Sequence, residues 1–101
     1  MIKEFKLGGV KYSVKEVDSI KNVFSGELMY GSHSPVEAQI EIAKQISGTK
    51  ISEDVRRVTL YHEILHAMMD VIGYKFPNPE DEENFVDRLA YMWNEFEQTR
   101  K

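Results

Sequence analysis

The chain of 101 residues contains no cysteine, so no disulfide can stabilise its fold. A chain of this length buries roughly two thirds of its unfolded surface without a covalent cross-link. We therefore expect one domain that spans residues 1–101 around a single core. The missing cysteines also fit a reducing compartment, and we expect a cytoplasmic protein.

Long hydrophobic runs are missing too. The longest apolar segments fall far short of the ~20 residues that cross a bilayer, so we expect no membrane segment. Residues 1–6 alternate charged and apolar side chains, whereas a secretory signal needs a continuous apolar stretch. The overall content, 42% hydrophobic and 30% charged residues, is ordinary for a globular protein.

A basic stripe of the kind that binds nucleic acid is also missing. The formal net charge is −4, and Arg56-Arg57 and Arg100-Lys101 are isolated basic pairs. The only dense run of one sign is acidic, over residues 80–83. We therefore expect no direct contact with nucleic acid.

The first half of the chain carries strand patterns. Residues 2–7 and 10–17 flank Gly8-Gly9, which predicts an N-terminal hairpin. Residues 19–25 fit either a short helix or irregular structure. The remaining predictions are a third strand over 28–30, a loop over 31–35 and a half-buried strand over 36–43, where apolar and polar residues alternate.

A helix of about twenty residues is predicted over 53–72. Ser52 is a natural N-cap, acidic residues occupy the first turn, and Gly73 supplies a C-terminal stop. The apolar residues of this helix form two stripes, which predicts burial on most of its circumference. One stripe consists of Leu60, Ile64, Ala67 and Val71, and the other of Val58, Leu65, Met69 and Ile72.

A second helix is predicted over 79–98, because Asn78-Pro79 reads as an N-cap followed by proline at the first helical position. The acidic run lies in its first turn, where the helix dipole favours negative charge. Its apolar residues recur at intervals of three and four and predict one apolar face: Phe85, Val86, Leu89, Met92, Trp93 and Phe96. Strands followed by two helices define an α+β fold, with a small, mainly antiparallel sheet of three or four strands packed on the first helix.

The first helix contains the H-E-x-x-H pattern at His62, Glu63 and His66. Residues i and i+4 share a helix face about 6 Å apart, so both imidazoles can bind one Zn²⁺. Glu63 projects about 100° away from His62 and suits the role of general base, which takes a proton from water. The alternative is a pair of core histidines satisfied by neighbouring carbonyls, since unsatisfied imidazoles are costly to bury. The buried helix, the residues that flank the motif and a carboxylate pair at a suitable distance favour the metal site over this alternative.

A catalytic zinc ion usually has three protein ligands, and the acidic start of the second helix is the best source of the third. Glu83 is favoured because Asp87 follows it by one turn and can orient a ligand histidine. Glu82 is the rival, since its helical phase lies nearer the centre of the apolar face. The residue four positions after Glu82 is Val86, whose apolar side chain cannot orient a ligand histidine.

Residues 59–68 and Glu83-Asn84-Phe85-Val86-Asp87 resemble the zinc helix and the E-x-x-x-D glutamate helix of gluzincin metallopeptidases. The closer resemblance is to ImmA/IrrE-like zinc metallopeptidases, in the short form typical of phages and mobile elements. It covers roughly residues 26–96. Leu65 stands where that family commonly has glycine, and the segment 85–90 follows the family pattern only loosely.

The resemblance implies a minimal zincin-like fold and a zinc-dependent metallo-endopeptidase. Its metal ligands would be His62, His66 and Glu83, its general base Glu63, and Asp87 would orient a ligand histidine. The implied substrate is a protein or peptide, with helix-turn-helix repressors of mobile elements as candidates. The alternative is a non-catalytic, zinc-stabilised protein-binding module. Retention of Glu63 favours the enzyme, because a structural site needs ligands and no base.

Other parts of the site are less determined by the sequence. In zincins the strand before the zinc helix offers its edge to the substrate, which here points to residues 36–43. His33, in a Gly/Ser/Pro loop, is expected to be a solvated loop residue. Four tyrosines could donate to a developing oxyanion, and no spacing selects among them: Tyr30, Tyr61, Tyr74 and Tyr91. The chain has no obvious lid, so a partner or a homodimer could complete the cleft.

Overall fold

The computed structural model describes all residues, 1–101, and has an α+β fold with eight strands followed by two helices. The strands are β1 (Glu4–Leu7), β2 (Val10–Val17), β3 (Ile20–Lys21), β4 (Leu28–Met29), β5 (Gly31–Ser34), β6 (Gln39–Ala43), β7 (Gln45–Ile46) and β8 (Thr49–Lys50). The helices are α1 (Glu53–Ile72) and α2 (Pro79–Thr99). The class predicted from the sequence is confirmed.

Four of the strands form the main sheet in the order β1-β2-β6-β5. The predicted N-terminal hairpin is confirmed as the antiparallel pair β1 and β2, although its first strand begins at Glu4. β5 and β6 are also antiparallel, whereas β2 and β6 run parallel. The sheet is therefore mixed, with one parallel pairing between two hairpins.

The prediction for residues 31–43 is wrong in two respects. Four of the five residues of the segment 31–35, predicted as a loop, form the whole of β5, and the strand predicted over 36–43 begins only at Gln39. Residues 35–38 form the hairpin turn instead, with Ala38 at a positive φ of 49°. Consequently β6 is paired on both sides, and β5 is one of the two edge strands of the sheet, with β1 at the other edge.

The short strands lie outside this sheet. The predicted third strand, residues 28–30, corresponds to β4, which pairs only with β3. The undecided segment 19–25 contains β3 and a turn, with no helix. These strands contribute to a small cluster in which Ile20, Ala43 and Ile51 are buried.

Helix α1 has the predicted bounds, 53–72, and both of its ends are capped. The Ser52 side chain accepts a hydrogen bond from the Val55 backbone N–H at 3.2 Å, and Gly73 ends the helix in the left-handed conformation at φ 73°. The main core lies between α1 and the sheet, and its buried members are Val14, Ile40, Ile42, Leu60 and Ile64. The outer ends of the two predicted stripes, Val71 and Ile72, are exposed.

Helix α2 runs one residue beyond its predicted end, and Asn78 caps it by accepting a hydrogen bond from the Glu80 backbone N–H at 2.9 Å. The predicted apolar face is buried only in part. The buried residues of α2 are Val86, Ala90 and Asn94. The side that carries Phe85, Met92 and Phe96 is exposed, because α2 is rotated about its axis to turn Val86 and Ala90 inward. Neither helix is long and apolar enough to cross a membrane.

Candidate metal centre

The two helices bring together the three side chains predicted to bind a metal: His62, His66 and Glu83. The Nε2 atoms of His62 and His66 lie 3.2 Å apart. The Glu83 carboxylate faces both of them, with Oε1 at 2.7 Å from His66 Nε2 and Oε2 at 3.3 Å from His62 Nε2. Ligands of a tetrahedral ion with bonds of about 2.0–2.1 Å are separated by about 3.3 Å. Two imidazoles and a carboxylate at this spacing fit a divalent metal ion.

The outer nitrogen of each histidine also faces a carboxylate. Asp87 Oδ1 lies 3.5 Å from Nδ1 of His62, and Glu82 Oε2 lies 3.0 Å from Nδ1 of His66. A carboxylate in this position fixes the tautomer and orientation of a ligand imidazole. The partners of both imidazoles are thus carboxylates on α2, and no backbone carbonyl bonds to either ring.

Glu82 and Glu83 therefore differ in which nitrogen of His66 they face. Glu83 faces the nitrogen that points to His62, whereas Glu82 meets the opposite side of the ring. Sequence reasoning treated Glu82 as a rival ligand and missed this orienting position. The signal was present in the spacing, because a carboxylate adjacent to a ligand on the same helix can reach around the imidazole.

Glu63, the predicted general base, is buried in α1 with only 8% of its surface exposed. Strand β5 crosses the helix here at close contact. A Cβ atom at Gly31 would lie 2.6 Å from the Thr59 methyl carbon and 3.3 Å from Glu63 Oε2. A side chain at this position would therefore force either the Thr59 side chain or the strand to shift.

His33 lies beside Glu63, contrary to the expectation of a solvated loop residue. Its side chain is 16% exposed on β5, its ring stacks on that of His66, and its Nε2 lies 2.7 Å from Asp70 Oδ2. The Glu63 carboxylate, at 3.7 Å from Nδ1, raises the pKa of His33 above 6.5; burial opposes this effect and Asp70 reinforces it. No local sequence pattern in residues 31–35 predicts that His33 lies beside Glu63. Its position depends on the pairing of β5 with β6 above α1.

A cleft of about 490 Å³ opens beside these residues. Thr59, His62 and Glu63 line its side on α1, Gly31 lies on the β5 side, and Asp87 lies on the α2 side. Two of the four candidate tyrosines, Tyr30 and Tyr91, also line the cleft. The other two pack elsewhere: Tyr61 stacks on Trp93, and Tyr74 contacts Phe76.

A buried amide bridge holds α2 against α1. Asn94 donates to Asp54 Oδ1 at 3.1 Å and accepts from Arg57 Nε at 3.4 Å, and Arg57 also donates to Asp54 at 3.0 Å. Between about two and three turns closer to its N-terminus, the same helix carries the three carboxylates that face the histidines. The bridge therefore helps to set the register in which those carboxylates meet α1.

Comparisons with protein-family models, with curated protein sequences and with solved structures found no match to this chain. Its function is therefore inferred from the geometry of the centre.

Proposed function

We propose that this protein is a zinc-dependent metallo-endopeptidase of the ImmA/IrrE-like, gluzincin type. The observation that carries the proposal is the meeting of two Nε2 atoms and the Glu83 carboxylate beside a buried Glu63. A His₂Glu donor set is typical of catalytic zinc sites that leave one position open. A carboxylate that binds no metal, adjacent to such a site and facing a cleft, is what a general base requires.

Zinc, when bound, supplies a Lewis acid that activates water near neutral pH and polarises a carbonyl. Glu63 accepts the proton of the attacking water and returns it to the amine that leaves, so that the peptide bond is hydrolysed. His62 and His66 keep their Nε2 atoms aligned because Asp87 and Glu82 hold the opposite sides of the rings.

His33 is assigned a positioning role in this proposal. It lies between Glu63 at 3.7 Å and Asp70 at 2.7 Å, so a chain of charged groups runs from the outer face of α1 to the base. Such a neighbour holds the Glu63 carboxylate in one orientation. A general base must be oriented towards the water from which it accepts a proton.

The substrate is proposed to bind as an extended segment along the free edge of β5. This edge replaces residues 36–43, which the sequence had suggested; residues 36–38 form a turn, and residues 39–43 form β6 inside the sheet. Peptides commonly add a strand to an exposed sheet edge through backbone hydrogen bonds, and β5 begins at Gly31, in the wall of the cleft. From the family resemblance, a helix-turn-helix repressor in the cytoplasm is the candidate substrate class.

Metal analysis of the purified protein tests the centre directly. We expect about one zinc per chain in the wild type, loss of zinc in His62→Ala, and retention of zinc in Glu63→Gln, because only the first variant removes a ligand. Full zinc retention in His62→Ala would contradict the proposed site.

Hydrolysis can be tested without a known substrate by incubating the protein with a proteome-derived peptide library and identifying new termini by mass spectrometry. We expect new termini with the wild type, and none with His62→Ala, with Glu63→Gln or after chelation. Zinc bound in the wild type without any new termini would instead favour the non-catalytic binding module.

A further inference from the structure

Helix α2 exposes an apolar stripe on the side that faces away from α1. Phe85 is 49% exposed, Met92 60% and Phe96 61%, and Leu89 between them is half-buried. Aromatic side chains of this kind offer about 150–250 Å² each, so the four residues expose roughly 300–400 Å² of apolar surface. A patch of this size on a small monomer often marks a binding surface.

The spacing of the stripe is symmetric along the helix. The intervals are four residues from Phe85 to Leu89, three from Leu89 to Met92 and four from Met92 to Phe96. A twofold axis between residues 90 and 91 would therefore place Phe85 opposite the partner's Phe96, and Leu89 opposite the partner's Met92. Intervals of four and three are those by which paired helices interdigitate, and self-complementarity about a twofold axis is the property of a homodimer interface.

Charges beside the stripe favour the antiparallel arrangement. Arg88 and Glu95 both lie on one flank, are exposed, and make no ion pair within the chain. About the same axis, Arg88 lies beside the partner's Glu95, and Glu95 beside the partner's Arg88. A parallel pairing would instead juxtapose the acidic first turns of the two helices, residues 80–83, which repel.

We propose that the stripe binds a second copy of this chain through an antiparallel, twofold-symmetric pairing of the two α2 helices. A groove of about 380 Å³ between Phe85, Arg88 and Met92 gives the partner's Phe96 a place to insert. Stable interfaces bury about 800 Å² on each partner. A single pair of helices buries an area at the low end of the range for specific interfaces. The dimer should therefore dissociate on dilution.

The pairing leaves both metal centres accessible. Successive residues turn by about 100°, so Glu83 and Asp87 project more than about 150° away from the middle of the stripe. The cleft is lined by Asp87 and Tyr91 of α2 and shares no residue with the groove. Zinc content should therefore be the same in monomer and dimer, which makes this inference independent of the proposed catalytic function.

Sedimentation analysis of the zinc-loaded wild-type protein over a range of concentrations tests the inference. We expect a monomer–dimer equilibrium with a dissociation constant roughly micromolar or weaker. Phe96→Ser should weaken the dimer about tenfold or more, since symmetry removes two buried aromatic contacts. Its matched control is Phe24→Ser, which alters an equally apolar side chain that is 97% exposed on the turn between β3 and β4.

A charge exchange tests the antiparallel orientation. Arg88→Glu alone and Glu95→Arg alone each replace two attractive pairs with two repulsive ones, and each should weaken the dimer about tenfold. The double variant Arg88→Glu/Glu95→Arg should restore wild-type affinity, because both cross-subunit pairs are re-formed with reversed sign. Circular dichroism and zinc content should remain unchanged in all of these variants, since both side chains are exposed.

Three results would overturn the inference. The first is a wild-type protein that stays monomeric up to roughly 300 μM, which would assign the stripe to a different protein partner. The second is a dimer that Phe96→Ser leaves intact, and the third is a double variant no tighter than the single ones.

Discussion

Three carboxylates of α2 face different nitrogen atoms of the two histidines, so their substitution should weaken zinc binding to different degrees. Glu83 faces both Nε2 atoms at 2.7 and 3.3 Å, so Glu83→Gln removes a ligand and should abolish stable zinc binding. Glu82 faces the outer nitrogen of His66 at 3.0 Å and is 25% exposed. Loss of an orienting partner of this kind costs about 10–100-fold in metal affinity.

The chemistry of the substitution sets where in that range each variant falls. Glu82→Gln keeps an acceptor oxygen and loses only the charge, so we expect about tenfold weaker binding, or about 1.4 kcal/mol. Glu82→Ala loses both the charge and the acceptor oxygen, so its zinc affinity should fall by nearly a hundredfold. Asp87→Asn should cost less than Glu82→Gln, since Asp87 is 3.5 Å from its nitrogen and 58% exposed. The predicted order of zinc affinity is wild type, Asp87→Asn, Glu82→Gln, Glu82→Ala, Glu83→Gln.

Competition with a chromophoric zinc chelator at neutral pH measures this order. Glu80→Gln is the matched control, because it removes the same charge from the same first turn without facing a histidine, and it should bind zinc as the wild type does. The reasoning would be refuted if Glu83→Gln retained wild-type affinity, or if Glu82→Gln weakened zinc binding more than Glu83→Gln did. Either result would exchange the roles of the two glutamates.

Three further predictions concern the surroundings of the centre. Gly31→Ala places a methyl group 2.6 Å from the Thr59 methyl carbon and should destabilise the fold by about 1–3 kcal/mol in urea unfolding; Thr59→Ser, which deletes that methyl group, should recover part of the loss. The pKa of His33 is raised in the folded protein, so its ion pairs add stability that is complete below pH 6.5 and is lost as the pH rises through the higher folded value. Asp70→Asn should lower the pKa of His33 in an NMR titration of the chelator-treated protein. An unchanged pKa would show that Asp70 does not form an ion pair with His33. Asn94→Ala should cost about 1–3 kcal/mol in urea unfolding, because Asn94 is buried and donates a 3.1 Å hydrogen bond between the helices; a cost below about 0.5 kcal/mol would show that this bond contributes little.

Local chemistry made much of the architecture readable from the sequence. Ser52 and Gly73 bound α1, and Asn78 with Pro79 starts α2, because caps and stops act within a few residues. The hairpin around Gly8-Gly9 is local in the same sense. Assignments failed where pairing partners are distant: residues 31–34 have few apolar side chains and become a strand because they pair with β6.

The metal analysis and the peptide-library experiment test the zinc ion and the hydrolytic activity that we propose. What the structure adds to them is a set of distances. The fit of His62, His66 and Glu83 to one divalent ion rests on those distances, and so does the assignment of Glu82 and Asp87 to the outer nitrogens.

By itself, the sequence determined that His62 and His66 share a helix face, since a spacing of four residues on a helix leaves no other geometry. The rotation of α2 about its axis was decided by tertiary packing, because Val86 and Ala90 could be buried only if Phe85 and Phe96 faced outward. That rotation selects which glutamate faces the Nε2 atoms. The same packing made β5 an edge strand and brought His33 beside Glu63, because strand order and helix phase depend on contacts between segments far apart in the chain.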